Sequence, residues 1–314
     1  MQDWTRGFAC NKWGADMNAE TPFQRAVRGF FASHTAAVSA VLLLILTALA
    51  LAAPWVAPQN PYDLAQLDIL DSRLPPASRA GGGASPDAMV HWLGTDDQGR
   101  DMLSAMLYGL RISLGLGLVA TALALTLGLA LGLWAGYRGG WVDALVMRLA
   151  DLQLSFPAIL LALILIAVLK PGITNVAIAL VAVQWAYYAR TARAAALVER
   201  KKEYVEAAIG LRLPTWRVVF RHLLPNCLPP VLVVAALQVA SAIALEATLS
   251  FLGLGVPITE PSLGLLIANG QAHLLAGSYW ISVFPGLLLL VTIVCINRVA
   301  DRLRDVLNPK LQGR

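Results

Sequence analysis

The chain has 314 residues, of which 58% are hydrophobic and only 14% are charged, and its formal net charge is +5. Its apolar residues fall in long blocks, and a soluble domain of this length does not carry so apolar a composition. These features exclude a soluble globule and predict an all-α polytopic membrane protein.

Six transmembrane helices are predicted, because lipid offers the backbone no hydrogen-bond partners and each helical span needs about 20 apolar residues. The predicted spans cover residues 36–58, 111–136, 149–169, 173–194, 228–254 and 280–300. The prediction divides the chain into an N-terminal segment (1–35), the first span (36–58), an outer segment (59–110), a core of five spans that includes a charged loop at 199–226 (111–303), and a tail (304–314).

The orientation follows from lysine and arginine, because cytoplasmic loops retain positive charge. If the N-terminus is inside the cell, the cytoplasmic segments hold 19 of the 24 basic residues. Both termini and the 199–226 loop are therefore expected in the cytoplasm, while 59–110 and 255–279 face outward. The lipid bilayer is the expected environment, and the same asymmetry accounts for the positive net charge without a nucleic-acid partner.

An amphipathic helix is predicted within the outer segment. Thr95 followed by Gln98 fits a capping-box pattern. The residues after it form one apolar face at helical spacing, namely Met102, Leu103, Met106, Leu107 and Leu110. We expect this helix to lie at the outer membrane surface before the second span. The preceding residues 59–92, with the sequence SRAGGGASP, predict a loop with little regular structure.

The third span carries a predicted kink between Ser155 and Pro157, because proline cannot donate a backbone hydrogen bond. Kinked helices often line paths through the membrane, but packing alone also explains a kink. Asp151 is expected to form an ion pair with Arg148 at the inner interface.

The 199–226 loop is predicted to form two short helices at an angle. The first ends before Pro214, since proline excludes helical geometry at the preceding residue and favours the first turn of a new helix. Apolar residues at helical spacing make the second helix amphipathic. A solvated loop with a surface helix is the simpler interpretation of this segment.

Polar residues inside spans are costly and therefore point to sites. Gln184, Gln238 and Ser241 either face a polar cavity or form hydrogen bonds between helices. Glu246 lies about 18 residues, or roughly 27 Å, along the fifth span and hence near its outer end. It either attracts a cationic solute or caps the backbone of the following SFLGLG sequence.

Five ordered stretches carry a family resemblance. EAAIGLRLPTWRVVFRHLLPN, residues 206–226, resembles the EAA loop of the integral-membrane permease subunits of ABC importers. The chain is similar to the C-type subunit of the dipeptide and oligopeptide permease family. Four further stretches fit that family in the right order: LGTDDQGRD at 93–101, RLADLQLSFP at 148–157, EATLSFLGLG at 246–255 and NRVADRLRDVLNP at 297–309.

The resemblance implies a type I permease fold in which the EAA loop is a coupling-helix pair that docks on an ATP-binding subunit. The residues assigned to this coupling are Glu206, Ala207, Ala208, Arg212, Pro214, His222 and Pro225. The family usually carries glycine where this chain has Arg212. We expect the turn to be retained, with Pro214 setting its geometry.

The resemblance also implies partners: a second, B-type permease subunit, two ATP-binding subunits and a separate solute-binding protein. Asp97, Arg100 and Asp101 either contact that binding protein or serve only local capping and ion pairing. The polar and kink residues of the spans are the candidates for a translocation path, namely Ser155, Pro157, Gln184, Gln238, Ser241 and Glu246.

No cofactor or metal is expected in this chain, and ATP with Mg²⁺ is expected in the partner subunits. A P-loop needs Gly-Lys-Ser/Thr, but none of the five lysines follows a glycine. The chain is therefore predicted to be the permease subunit of an ATP-driven importer in the bacterial inner membrane, carrying peptides or similar small solutes. The alternative is an ion-coupled secondary transporter, which needs carboxylates at mid-membrane and often an internal repeat.

Overall fold

The computed structural model describes residues 22–63, 67–83, 89–257 and 259–307. The predictions for the first 21 residues and for residues 308–314 of the tail lie outside the described residues. Twelve α-helices form within the described residues. They are α1 Pro22–Phe31, α2 His34–Leu51, α3 Ala53–Val56, α4 Met102–Arg138, α5 Gly140–Leu154, α6 Ala158–Leu169, α7 Ile173–Glu199, α8 Glu203–Gly210, α9 Thr215–Arg217, α10 Leu224–Phe251, α11 Leu263–Gln271 and α12 Trp280–Leu307.

The all-α prediction is confirmed, but the count of six spans is not. Within the described residues, four helical stretches are long and apolar enough to cross a membrane: α2, α4, Thr215–Phe251 and α12. A fifth is obtained if α5 and α6 are counted as one broken span. The helix α7 has 27 residues, or about 40 Å of length. It is long enough to cross a membrane, but Gln184, Arg190 and Arg193 make it less apolar than the other candidate spans.

The predicted kink in the third span is confirmed as a full break. Helix α5 ends at Leu154 and α6 begins at Ala158, and the two axes are bent by 94°. Pro157 occupies the N-cap position of α6 with an extended ψ of 130°. Its ring lacks an N–H and excludes continuation of the preceding helix, so the chain changes direction here.

Close packing of α4 against α7 forms the centre of the bundle. Small residues recur every four positions along the contact face of α4, at Gly128, Gly132 and Gly136. A Cβ atom added at Gly132 would lie 2.3 Å from the carbonyl oxygen of Ala189. Glycine therefore lets the two backbones approach to a distance that no other residue permits, as in other membrane helix pairs.

In residues 59–63, 67–83 and 89–101, which the structure describes, regular structure is limited to short 3₁₀ turns and two paired strands of two residues each. The strands β1 Ser78–Arg79 and β2 Val90–His91 pair antiparallel. The predicted surface helix after it is wrong in two respects. Its first turn is non-helical, and the remainder is the beginning of α4, which continues for 37 residues to Arg138 without a break. At about 55 Å, α4 separates the 59–101 segment from the 199–226 loop by the length of the bundle.

Candidate functional site

The 199–226 loop folds into a compact helical hairpin. Helix α8 packs on the start of the following helix through a small apolar core. This core consists of Val205, Ala208, Val218 and Leu223, with Tyr137 of α4 beside it. The hairpin therefore has a fixed shape, unlike a solvated loop.

The turn of the hairpin is a Schellman motif with arginine at the left-handed position. Arg212 has φ 53°. The N–H of Leu213 donates to the carbonyl of Ala208 at 3.2 Å, and the N–H of Arg212 donates to Ile209 at 2.9 Å. These two bonds satisfy carbonyls at the helix end, which is how helices terminate at glycine. The turn is retained as expected, but its geometry is set at Arg212 itself and Pro214 only follows it.

The second helix of the hairpin is not short, contrary to the prediction. Pro214 is its N-cap, with φ −61° and ψ 140°. The helix passes through a π-helical turn, Val218–Leu223, and continues as α10. Pro225 cannot donate to the carbonyl four residues earlier, and the hydrogen bonds before it shift to the wider π pattern. The hairpin is thus joined to a membrane helix without a break.

The tip of the hairpin is exposed. Glu206 and Ala207 lie on its surface, whereas Ala208 faces the small core. Two large apolar side chains are also exposed, Ile209 by 41% and Leu211 by 76%. An acidic group beside exposed aliphatic side chains is typical of a surface that a partner covers.

The base of the hairpin is tied by Glu199, the last residue of α7. Its carboxylate accepts hydrogen bonds of 2.6 Å from Lys202 Nζ and from the Tyr204 hydroxyl. Burial, followed by this bond, raises the pKa of Tyr204 to about 12. The ring of His222 lies 6.4 Å from that of Tyr204, so His222 packs against the hairpin base.

Glu246 is a carboxylate in the interior of the bundle. It is fully buried. Its two oxygens accept hydrogen bonds of 2.8 Å from the hydroxyls of Ser113 and Ser250. The Ser250 oxygen in turn accepts from the Val256 N–H at 3.3 Å. Of the two alternatives for Glu246, this conformation shows the structural one, because the carboxylate links α4, α10 and the following turn, while contact with a solute stays a prediction.

Of the other polar residues in the spans, some form hydrogen bonds between helices and others lie on the surface. Gln184 is buried and accepts from Thr121 while donating to the carbonyl of Gln238 at 3.1 Å. These bonds connect α4, α7 and α10, as the interhelical interpretation requires. Ser241 is exposed and bonds only within its own helix, to Leu237.

Ser155 closes the end of α5. Its hydroxyl donates to the carbonyl of Asp151 at 2.7 Å. The side chain of Asp151 pairs with Arg190 of α7. The expected pairing with Arg148 is wrong, because the break at Pro157 brings α5 alongside α7.

The 59–101 segment is fixed to the bundle by buried polar groups. Asp101 is the N-cap of α4 and accepts from the Ser104 N–H at 2.9 Å, while its own N–H donates to Gln59. Asp96 and Arg100 form a buried ion pair of 2.6 Å. The expected N-cap Thr95 instead accepts from Trp280 Nε1 through its carbonyl, at 3.1 Å.

These contacts decide which of the three outer residues can meet a partner. Arg100 and Asp101 are each 1% exposed. Arg100 pairs with Asp96 and Asp101 bonds to Gln59 and Ser104, although one terminal nitrogen of Arg100 has no hydrogen-bond partner among the described residues. For these two residues the structure fits the other alternative, local capping and ion pairing. Asp97 is partly exposed and remains on the surface of the segment.

Comparison with known proteins confirms the family resemblance. Residues 128–313 match the family described as the inner membrane component of binding-protein-dependent transport systems. Residues 21–76 match the N-terminal transmembrane domain of oligopeptide transport permease C. The chain belongs to this permease family. It is the transmembrane permease subunit of an ABC importer, and the ion-coupled alternative receives no support.

Similar proteins span almost the whole permease. A dipeptide transport system permease of Escherichia coli (strain K12) is 40% identical over 93% of this chain and 94% of its own length. A probable D,D-dipeptide permease of the same strain is 36% identical over 88% of each chain. A glutathione transport system permease of Pectobacterium atrosepticum is 32% identical over 95% of this chain and 94% of its own.

The fold is also found among solved structures. A chain of the inward-facing MetNI methionine ABC transporter superposes with a TM-score of 0.52 at 19% identity. The match covers 66% of the permease and 98% of that chain. At this identity the likeness shows the fold, which is that of an ABC importer permease.

An open apolar groove of about 1280 Å³ runs between α4 and α7 of the permease. Tyr62, Tyr108 and Arg111 line one end of it, and Trp185 lies toward the other. The sequence analysis did not single out these residues. A signal was present in Arg111, one of only five basic residues outside the expected cytoplasmic segments and the first residue of the predicted second span.

Proposed function

We propose that the permease imports peptides or small solutes of similar chemistry, as one half of a path completed by a second, B-type permease subunit. Two ATP-binding subunits hydrolyse ATP with Mg²⁺, and a separate binding protein delivers the solute. The names of the relatives, which include dipeptide and glutathione permeases, support this solute class. The lack of a Gly-Lys-Ser/Thr sequence supports placing hydrolysis in the partners.

The 199–226 loop is the contact through which hydrolysis drives transport, and we call it the coupling loop. The observation that supports this proposal is the continuity of the hairpin with one long membrane helix. Thr215–Phe251 is helical over 37 residues, about 55 Å, from the hairpin to the far side of the bundle. Because the hairpin and this helix share a packed core, a displacement of the tip moves the helix with it.

The tip has the chemistry of a docking surface. Helix α8 exposes Glu206 together with Ile209, and Leu211 follows in the turn. A short helix with an apolar edge and a charged residue suits a groove on a partner, which is a common mode of recognition. Arg212 lies exposed beside them.

The coupling loop and both termini lie in the cytoplasm, and the 59–101 segment faces outward. The distribution of basic residues supports this orientation. Arg200, Lys201 and Lys202 sit together at the base of the hairpin, so that end of the bundle carries the higher positive charge.

Charge reversal at the tip tests the proposal, with a matched control on the same helix. Glu206→Lys is expected to reduce co-purification of the ATP-binding subunits at least tenfold and to abolish uptake in proteoliposomes. Glu203→Lys makes the same charge change one turn nearer the base, at another exposed residue. The Glu203→Lys permease should still co-purify with the ATP-binding subunits and should still take up solute. Equal behaviour of the two variants would contradict docking at this tip.

A further inference from the structure

The groove between α4 and α7 has a polar end and an apolar body. Its long walls are formed by aliphatic side chains such as Leu116, Val119 and Ile178. Arg111, Tyr62 and Tyr108 lie together at the end nearest the 59–101 segment. A concave apolar surface with a few polar groups gathered at one point is the usual form of a small-molecule site.

Arg111 is the charged group that faces this groove. It is exposed, and it forms no ion pair or hydrogen bond with any residue in the described ranges. The nearby Arg100 offers a contrast, because its guanidinium is buried against Asp96 at 2.6 Å. A guanidinium presents a planar fork of donors that matches a carboxylate, and that of Arg111 is unpaired among the described residues.

Two tyrosines form the wall beside Arg111. The rings of Tyr62 and Tyr108 meet edge to face with centroids 5.3 Å apart. Burial, together with the nearby carboxylate of Glu260, raises the pKa of Tyr62 to about 12, so its hydroxyl stays neutral and remains a donor. Tyr62 comes from the 59–101 segment, which means that the polar end is built from two parts of the chain.

The position of Arg111 along α4 places it within reach of water. A bilayer core of about 30 Å takes up about 20 residues of helix. Counted from Arg138 at the other end of α4, such a span reaches residue 118, and Arg111 lies seven residues, or about 10 Å, beyond it. A solute arriving from the side of the 59–101 segment therefore meets this end of the groove first.

We propose that Arg111, with Tyr62 and Tyr108, forms a site for the carboxylate of a solute that enters the groove, while the apolar walls receive the rest of the solute. The site takes small organic carboxylates, of which a peptide with a free C-terminus is the member that fits the proposed function. This inference rests on that function. It adds a residue that contacts the solute within the permease, distinct from the selection made by a binding protein.

The test compares alanyl-alanine with alanyl-alanine amide in proteoliposomes that contain the full importer and its binding protein. The measured quantity is the ratio of uptake of the free acid to uptake of the amide. Because every variant shares one binding protein, the preference of that protein cancels between permeases. Arg111→Gln is expected to lower the ratio about tenfold, the size of a lost charge-assisted hydrogen bond.

Three further permeases sharpen the test. Arg111→Lys keeps the charge without the fork and should lower the ratio only partly, and Tyr62→Phe should do the same by removing one donor. Lys170→Gln removes an exposed cation that does not line the groove, and its ratio should equal that of the wild type. If Arg111→Gln does not assemble, Arg111→Lys and Tyr62→Phe decide the matter.

The outcomes separate this inference from the proposed function. A wild-type ratio in all the Arg111 and Tyr62 variants that assemble overturns the carboxylate site and leaves the importer function intact. The same result, with a phospholipid bound to the wild type and lost from Arg111→Gln in native mass spectrometry, assigns the groove to lipid and also overturns it. If the wild-type importer takes up neither probe, the proposed peptide function fails and this inference fails with it.

Discussion

Ser113 of α4 donates a hydrogen bond of 2.8 Å to Glu246 of α10, although 133 residues separate them in the chain. Ser250 donates to the other carboxylate oxygen, and a third hydroxyl, that of Ser262, lies beside the group. The carboxylate is thus surrounded by donors from three parts of the chain. It holds α10 to α4 at the end of the helix opposite to the coupling loop.

The first prediction concerns this carboxylate. Glu246→Gln retains an acceptor oxygen, and the serine hydroxyls can rotate to accept from its amide, so it should cost no more than about 1 kcal/mol. Glu246→Leu leaves at least two buried hydroxyls without their acceptor, at about 1–3 kcal/mol each. The thermal unfolding midpoint of the purified permease measures both.

The control for the first prediction is Ser241→Ala, which removes an exposed hydroxyl that bonds only within α10. It should leave the midpoint unchanged. A Glu246→Leu permease as stable as the wild type would show that the three-way contact contributes nothing. If a stable Glu246→Gln permease loses uptake, the charge of Glu246 is needed for transport and a contact with the solute is supported.

The second prediction concerns the turn of the coupling loop. A non-glycine residue at positive φ costs about 1 kcal/mol, and β-branched residues tolerate it least. Arg212→Gly should therefore stabilise the hairpin by up to about 1 kcal/mol, whereas Arg212→Val should destabilise it. Hydrogen exchange of the Leu213 N–H, which closes the Schellman motif, reports both changes. Equal protection of the Leu213 N–H from exchange in the two variants would show that the conformation of residue 212 does not limit the stability of the hairpin.

The break in the coupling loop was predictable because proline acts locally. Pro214 excludes helix at Leu213 whatever surrounds it. The left-handed conformation of Arg212 was not predictable in the same way, since arginine has no preference for it. It arises because Leu213 must turn back onto the core of Val205 and Ala208, and that demand comes from packing.

The start of α4 was also not predictable from the sequence alone, because a distant contact decides it. Both Thr95 and Asp101 are suitable N-caps by residue type. The choice is made by Gly99, with φ 76°, where a Cβ atom would lie 2.1 Å from the carbonyl oxygen of Asp68. A contact between residues 31 positions apart thus decides where the helix begins. The partner of Glu246 was hidden for the same reason, since nothing in the sequence connects it with Ser113.

The third prediction concerns the contact of α4 with α7. Gly132→Ala places a methyl group against the Ala189 carbonyl, and the backbones must separate, at about 1–3 kcal/mol. Gly115→Ala is the matched control on the same helix, because no atom lies within 4 Å of its added Cβ. The control should be neutral or stabilising by up to about 1 kcal/mol, since alanine favours helix. Unfolding midpoints of the two variants that fall in the opposite order would contradict the close-packing argument.

The fourth prediction concerns orientation. Cysteines introduced at Trp92 and at Ala207, both exposed, should react with a membrane-impermeant maleimide from opposite faces of the membrane. The reason is the excess of lysine and arginine at the coupling-loop end. Cys227 and Cys295 are buried and give a low background, and Cys10, the third cysteine of the sequence, is replaced by serine in every permease tested. Reaction of both introduced cysteines in intact cells would refute the proposed topology.

The fifth prediction is a pH dependence that arises from the buried pair of Asp96 and Arg100. Burial raises the pKa of Asp96 above its ordinary value of 3.8, and the Arg100 guanidinium opposes part of that rise. The folded state therefore holds a proton that the unfolded chain has released, so the contribution of Asp96 to stability falls as pH rises from near 3.8 to the folded pKa.

Arg100→Gln removes the opposing charge and extends this fall in stability to higher pH. The variant should lie close to the wild type near pH 4 and lose about 3–5 kcal/mol at neutral pH, where an unpaired carboxylate is buried. Unfolding midpoints at pH 4–8 measure this divergence. The control is the exposed Lys170→Gln permease, whose curve should stay parallel to that of the wild type. A parallel Arg100→Gln curve would show that Asp96 does not depend on its partner.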